Sequence, residues 1–361
     1  MRRTYAALLI GLALVLSLGT SAVGPDPQDR IEPDVDNTDR LDVVLEGSTI
    51  SVGDRFRVNF MRTLRIPDDG QEYPLPPGLG RFPIRRVEDY PDTVPASWLE
   101  AGGFFIPMYQ REALWLSFYG DHWHPVAAKV GVGMVDALTG EVFQSGLSDD
   151  PQNYMVIPEQ PWLDGINSGE GYIRQFVAVP LGMGYTVEGQ ITGEERFGGI
   201  QIIVYQPKPG MFPDKPPTVI YPRRDMMTES AAPPPLGYPE MGIGAGGKMI
   251  QSIYPDRHGI DTWDQSVEGS FNIFVVNSMA YRAITGEDPP DTPIDARTYT
   301  AYGYPWFQLY DEEKGDIEAS DALAGIKTVK EKDEEHGFGP QQDDDPVDVD
   351  QSQVIGILTC D

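Results

Sequence analysis

From Leu41 onward, apolar residues alternate with polar ones or gather in short runs that end at Gly, Pro, Asn or Asp. A strand turns alternate side chains to opposite faces, so this punctuation predicts strands rather than long helices. The runs that fit are Val43–Leu45, Phe56–Phe60, Ala113–Phe118, Ala127–Val135, Tyr154–Ile157, Gln175–Val179, Thr186–Ile191, Ile200–Tyr205 and Phe271–Val276. Short strands at this density predict a mainly β fold, an antiparallel β-sandwich or jelly roll with a few short helices.

An aliphatic residue followed by Thr-Gly-Glu occurs at Leu138–Glu141, Ile191–Glu194 and Ile284–Glu287, at spacings of 53 and 93 residues that rule out a regular repeat. The first two predict hairpin turns in which glycine takes a positive φ. The third follows Ser278-Met279-Ala280-Tyr281-Arg282-Ala283 and predicts a short helix that Asn277 opens and Gly286 caps. Between Gln206 and Gly247 the chain is crowded with Pro and Gly, which predicts a long extended connection. It either separates two domains or wraps over one sheet that ends in Phe271–Val276. The remaining 115 residues after Gly246 hold too few strands for a core of their own, which favours one β-rich domain from Leu41 to Tyr310. Gly242-Ile243-Gly244-Ala245-Gly246-Gly247-Lys248 then reads as a flexible connector: no buried strand precedes it and no Ser or Thr follows the lysine, as a phosphate-binding loop would need. Asp321–Glu335 has the composition of a surface helix, within an acidic tail from Asp311 to Asp361 that is partly helical or disordered.

The first residues change the compartment. Arg2 and Arg3 precede an apolar run from Ala6 to Leu16, and small residues at Thr20 and Ala22 supply a cleavage pattern, so residues 1–22 predict a secretory signal peptide. The run is short of the ~20 apolar residues that span a bilayer; an uncleaved anchor is the alternative, and no membrane span is expected in the mature chain. The lone cysteine, Cys360, permits no intrachain disulfide, so an apolar core must hold the fold.

Charge narrows the partners. The whole chain carries 27 basic and 56 acidic residues, and removing a signal that contributes two arginines leaves 25 against 56, a formal −31. Asp26–Asp42 and Glu331–Asp350 read as solvated acidic segments, the first part of a disordered leader over residues 23–40. Nucleic acid is excluded as a partner, because phosphate backbones demand a basic face. An acidic, lysine-poor surface fits an ordinary extracellular protein and equally resembles proteins of salty habitats, where salt screens the repulsion.

Four groups of residues carry candidate chemistry. In Asp121-His122-Trp123-His124, a strand would turn both imidazoles to one face, where His122 and His124 could hold a metal such as zinc; the other reading is a polar hairpin end, since no third ligand follows at a suitable spacing. Calcium is weighed at Asp34-Val35-Asp36-Asn37-Thr38-Asp39, but the loop lacks its sixth-position glycine and twelfth-position glutamate, so no cofactor is assigned. A glycosidase needs two carboxylates across a sugar. Glu112 and Glu188 lie in apolar runs and Asp164 follows Trp162, which makes these three the catalytic candidates; the competing reading for a buried acid is an ion pair with Arg111 or Arg174. No Gly-x-Ser-x-Gly nucleophile elbow occurs. Finally, Gln160-Pro161-Trp162-Leu163-Asp164-Gly165 and Tyr302-Gly303-Tyr304-Pro305-Trp306-Phe307 set aromatics beside Gly and Pro. Exposed rings of this kind bind ligands, which nominates Trp162, Asp164, Tyr304 and Trp306; alternatively the tryptophans plug the ends of a sandwich core. Both segments on one face would favour binding.

Met108-Tyr109-Gln110-Arg111-Glu112-Ala113-Leu114-Trp115, Lys129-Val130-Gly131-Val132-Gly133, Gln160-Pro161-Trp162-Leu163-Asp164-Gly165, Arg174-Gln175-Phe176-Val177-Ala178, Glu188-Gly189-Gln190 and Gly198-Gly199-Ile200-Gln201 form blocks spread over most of Ile106–Phe307. Together they resemble a family of uncharacterised bacterial and fungal proteins that share them. The resemblance implies a common fold and carries no activity or catalytic residue. The expectation is therefore an exported acidic β-rich protein of the envelope, periplasm or exterior, a binding or structural module with a polysaccharide or another envelope protein as partner. The alternative is a secreted carbohydrate-active hydrolase with paired carboxylates.

Overall fold

The computed structural model describes residues 40–215, 240–309 and 314–357. The signal segment, nearly all of the leader, residues 216–239 of the Pro-rich connection and Cys360 lie outside the described residues.

Two runs of antiparallel strands face each other across the main core, in a β-sandwich-like arrangement. In the first, Val43–Glu46, Thr49–Val52, Phe56–Thr63, Ala113–Tyr119, Tyr172–Pro180 and Glu240–Ile250 pair in that order. In the second, Trp263–Asn277 pairs with Ile200–Pro207, which pairs with Val126–Val132, which pairs with Met155–Ile157. Glu240 and Met241 join the two runs through Val276 and Val275. Parallel pairing is confined to short stretches, such as Phe104–Met108 against Ile273–Asn277. Inward side chains from both runs, among them Phe56, Val58, Phe60, Leu114, Leu116, Phe176, Val130, Ile202 and Ile273, build the core. Smaller apolar clusters cover the outer faces. Trp98, the buried residue of helix Ala96–Ala101, stacks on Phe274 at 4.6 Å, in a cluster that Tyr281 of helix Ser278–Thr285 joins, while Tyr185 and Val329 cover Ala113, Val177 and Val179. No helix among the described residues is long and apolar enough to cross a membrane.

Three local expectations are corrected. Thr186–Ile191 is not a strand: Val187–Thr192 is a helix, opened by the Thr186 hydroxyl accepting from Gly189 N and closed by Gly193 at φ 79°. Its Thr-Gly-Glu is thus a helix cap, as it also is at Gly286, while Gly140 turns between Val135 and Val142, which form an antiparallel bridge. Gly242–Lys248 is not a flexible connector but part of the strand Glu240–Ile250. Met241, Ile243, Ala245 and Met249 enter the core. The intervening glycines face an opposing wall: a Cβ on Gly242 would meet Thr186 Cγ2 at 2.5 Å, and one on Gly246 would meet Val177 Cγ2 at 2.6 Å. Glycine is what lets the Tyr185–Val187 turn lie directly on this strand.

The third correction concerns part of Glu331–Asp350: most of the segment is exposed as expected, but Asp333, Asp343 and Asp344 are drawn against the domain. Helix Val329–Glu335 is closed at its N-terminus by a capping box of Thr328 and Glu331, and the residues beyond it pack down through buried charge. Arg111 reaches Asp333, Asp343 at 2.7 Å and Asp344 at 2.8 Å. Arg65 takes Asp344 at 2.7 Å.

Candidate functional site

The strand Ala113–Tyr119 sends Leu114 and Leu116 into the core, so the alternation turns Trp115 to the outer face. Trp162 and Leu163 pair beside it, opposite Ser117 and Leu116, which sets Trp162 diagonally across from Trp115. Their ring centroids lie 6.2 Å apart with planes at 71°. Over this pair comes a second layer. Leu75 and Phe307 exchange backbone hydrogen bonds of 2.7 and 2.9 Å, placing Pro76, Pro77 and Gly78 above the indoles. The result is a pocket of about 180 Å³ lined by Leu75, Pro76, Pro77, Gly78, Trp115, Trp162, Asp164 and Phe307.

Gly78 has a steric part in this. A Cβ there would meet Trp115 Cζ2 and Met61 Cε, each at 3.2 Å, so a side chain would press on the indole. Trp115 Nε1 is buried without a hydrogen-bond partner, an orphan donor of the kind that costs about 1–3 kcal/mol when nothing satisfies it.

Asp164 links the strands Trp162–Leu163 and Gly165–Gly169 and is 2 % exposed. Gln251 grips it from both ends: Asp164 N donates to Gln251 Oε1 at 3.0 Å, and Gln251 Nε2 donates to Asp164 Oδ2 at 2.8 Å. Burial pushes its carboxyl up to about 7, against the smaller downward pull of the Gln251 bond. Among the described residues no lysine or arginine forms an ion pair with it.

The other two acidic candidates have structural partners. Glu112 accepts from Arg62 Nε at 2.7 Å and from Tyr109 N at 2.8 Å; burial pushes its carboxyl up while Arg62 pulls it back. It lines a separate cleft with Arg65, Arg111 and Asp343. The ion-pair reading thus holds, with Arg62 rather than Arg111 as partner. Glu188, at the start of its helix, accepts from the backbone N of Arg196, Phe197 and Gly198 at 2.8–3.2 Å. It pins the turn Gly193–Gly198 and does not line the aromatic pocket.

The aromatic and histidine candidates divide as well. Trp306 is fully buried and donates from Nε1 to Thr300 Oγ1 at 3.2 Å, so it plugs the core and its neighbour Phe307 faces the pocket. Tyr304 is half exposed and packs on Tyr299 and Tyr302, away from the pocket lining. Asp121 and His124 close a turn by an antiparallel bridge, so His122 and His124 do not share a strand face. His122 is exposed, whereas His124 Nδ1 lies 2.9 Å from Pro213 O. Among the described residues no three His, Cys, Asp or Glu side chains are grouped to hold a metal ion.

The segments containing Trp162 and Phe307 do meet at one site. Trp115 and Phe307 are not legible as pocket residues from the sequence alone. Trp115 sits in a run apolar on both faces, which hides its outward direction, and Phe307 faces the pocket because its neighbour Trp306 points inward. Comparison of the chain with protein-family models, with curated proteins and with solved structures returned no match.

Proposed function

We propose that this chain is an exported, acidic, β-rich binding module of the cell envelope or exterior, and that the Trp115–Trp162–Phe307 pocket is its ligand seat. One observation carries the reading: two aromatic segments distant in sequence, at Gln160–Gly165 and Tyr302–Phe307, converge on one pocket with a buried acid and an orphan indole N–H. Clefts with apolar walls and a few convergent polar groups are the usual form of a small-ligand site. The signal-like sequence of residues 1–22 and the excess of acid support placement outside the cytoplasm, with a polysaccharide or an envelope component as the source of the ligand.

The hydrolase alternative is less well supported. A glycosidase needs two carboxyls roughly 5–10 Å apart, and Asp164 is the one carboxyl that lines this pocket among the described residues. Glu112 and Glu188 are engaged elsewhere by Arg62 and by backbone N–H groups. The test is tryptophan fluorescence and thermal unfolding of the mature chain against a panel of soluble envelope components, repeated with Trp162→Ala. A ligand at a hundred times its dissociation constant stabilises by about 2.7 kcal/mol. Shifts that survive in Trp162→Ala would refute the assignment of the pocket.

A further inference from the structure

The pocket's ligand can be narrowed by its chemistry, an inference that rests on the pocket being the ligand seat. Its walls are two indoles set nearly at right angles, the Phe307 ring, two prolines and a leucine. Buried hydrogen-bonding capacity is scarce there: the Trp115 N–H without a partner and the Asp164 carboxyl, already sharing an oxygen with Gln251. A sugar ring brings several hydroxyls, each of which loses water on entry and needs a protein partner. A primary ammonium brings three N–H donors with the same need. A group that is cationic yet has no donors escapes both penalties.

Asp164 supplies the second half of the argument. Several other buried acids among the described residues face a cation, Glu112 with Arg62, Asp344 with Arg65 and Arg111, and Asp136 with Lys129 at 4.0 Å, while Glu188 is held by three backbone N–H groups and Asp68 lies near Arg174 and Arg65 without an ion pair. Asp164 is equally buried, and Gln251 is its one polar side-chain partner among the described residues. An acid left without a counter-charge beneath aromatic faces, whose π clouds are negative, makes a site that attracts positive charge from outside.

We infer that the pocket binds a trimethylammonium group, held against Trp115, Trp162 and Phe307 by cation–π contact with Asp164 as counter-charge. The group can come from a soluble compound such as choline or from the headgroup of a choline lipid. The cation's methyl surface suits the apolar walls, and its charge supplies what Asp164 lacks.

The experiment uses the mature chain at constant ionic strength, with NaCl replaced stepwise by choline chloride. Tryptophan fluorescence and calorimetric titration are read beside the uncharged carbon analogue 3,3-dimethylbutan-1-ol, cellobiose as a neutral sugar, and a NaCl blank. The expected result is saturable choline binding at least tenfold tighter than that of the neutral analogue. Trp162→Ala abolishes it and Asp164→Asn weakens it about tenfold. Because Asp164→Asn keeps the side-chain shape, its binding of the neutral analogue stays within about twofold, which separates loss of charge from misfolding. Sedimentation with phosphatidylcholine but not phosphatidylglycerol vesicles would point to the lipid source, and choline binding without sedimentation to the soluble one; either supports the inference. Equal affinity for choline and the neutral analogue would overturn it. If cellobiose binds in a Trp162-dependent way and choline does not, the ligand class is wrong and the binding pocket stands. If no probe binds, the trimethylammonium inference falls, and the pocket reading falls with it once the wider panel also gives no Trp162-dependent signal.

Discussion

Replacing Asp164 by asparagine tests the central feature of the pocket without a ligand. The buried carboxyl has its proton affinity raised from 3.8 to about 7 by loss of water. An acid with a raised folded pKa contributes stability that is fully present below its unfolded value, near pH 4, and is lost as pH rises through about 7. The gap between the two values, at about 1.4 kcal/mol per pH unit, is worth roughly 4 kcal/mol. The substituted amide cannot ionise, and its carbonyl oxygen can still accept from Gln251 Nε2, so the variant has no such slope. Other buried acids, including Glu112 and Asp136, act alike in both proteins and cancel in the difference. The assay is thermal unfolding of wild type and Asp164→Asn between pH 4.5 and 8.5. The variant should gain on wild type from pH 4.5 to about 7, by about 7 °C at roughly 2 °C per kcal/mol for a chain of this size, and keep that gain unchanged above about pH 7. Two curves that run parallel across the range would mean that Asp164 is solvated or paired in solution, and the counter-charge argument would lose its basis.

Arg111→Met removes the cation that Asp333, Asp343 and Asp344 share; breaking such a buried network should cost about 3–5 kcal/mol, read by denaturant unfolding, with faster amide exchange over 328–345. A matched pair separates the two tryptophans of the sequence reading: Trp306→Ala should lose about 3–5 kcal/mol as a core residue, whereas half-buried Trp162→Ala should lose less stability and all pocket binding, and the reverse pattern would refute their assignment. Gly247→Ala places a Cβ 2.2 Å from the Pro67 carbonyl oxygen; backbone cannot yield as a flexible side chain does, so a loss of at least about 1–3 kcal/mol is expected in thermal unfolding. Asp343 has a carboxyl held low by Arg111 against its burial, so its contribution is present above the ordinary carboxylate range and lost on acidification. Proteolysis at the Ile326–Asp345 segment should therefore accelerate below about pH 4, and an unchanged rate there would count against the clamp.

Most strands could be read because their residues obey the period of two and are bounded by turn formers. Phe56–Thr63 and Ile200–Pro207 are of this kind. The errors occur where one residue type serves two backbones. Thr186-Val187-Glu188-Gly189-Gln190-Ile191 alternates like a strand, but Thr186 and Gly193 are equally a helix cap at each end, and the carboxylate of Glu188 is consumed by the turn beyond. In Met241-Gly242-Ile243-Gly244-Ala245-Gly246 the alternation was present all along. Glycine density masked it, because glycine signals a loop unless something packs too close for a Cβ, and that closeness belongs to the tertiary structure.

The same limit governs the site. Local sequence placed Trp162 beside Asp164 and Trp306 beside Phe307, but the direction in which each ring points depends on which strand face meets the core. Alternation fixes only that Trp306 and Phe307 point oppositely; the covering layer at Leu75–Gly78 decides that Phe307 is the one facing the pocket. Arg111 is a stronger instance. The sequence offers it as a neighbour for Glu112, yet its backbone adopts φ 71°, a left-handed conformation uncommon for a non-glycine residue. Its guanidinium goes instead to carboxylates more than two hundred residues away. Charge counting could assign Asp333, Asp343 and Asp344 only to a solvated tail, because a net sum carries no geometry. Asp164 stands out for the converse reason: it is a buried acid for which the distant chain supplies an amide, Gln251, and no cation among the described residues. The number of acids carries none of this: Glu188 is spent on backbone N–H groups and Asp344 on arginines, and only the partner of each distinguishes them from Asp164.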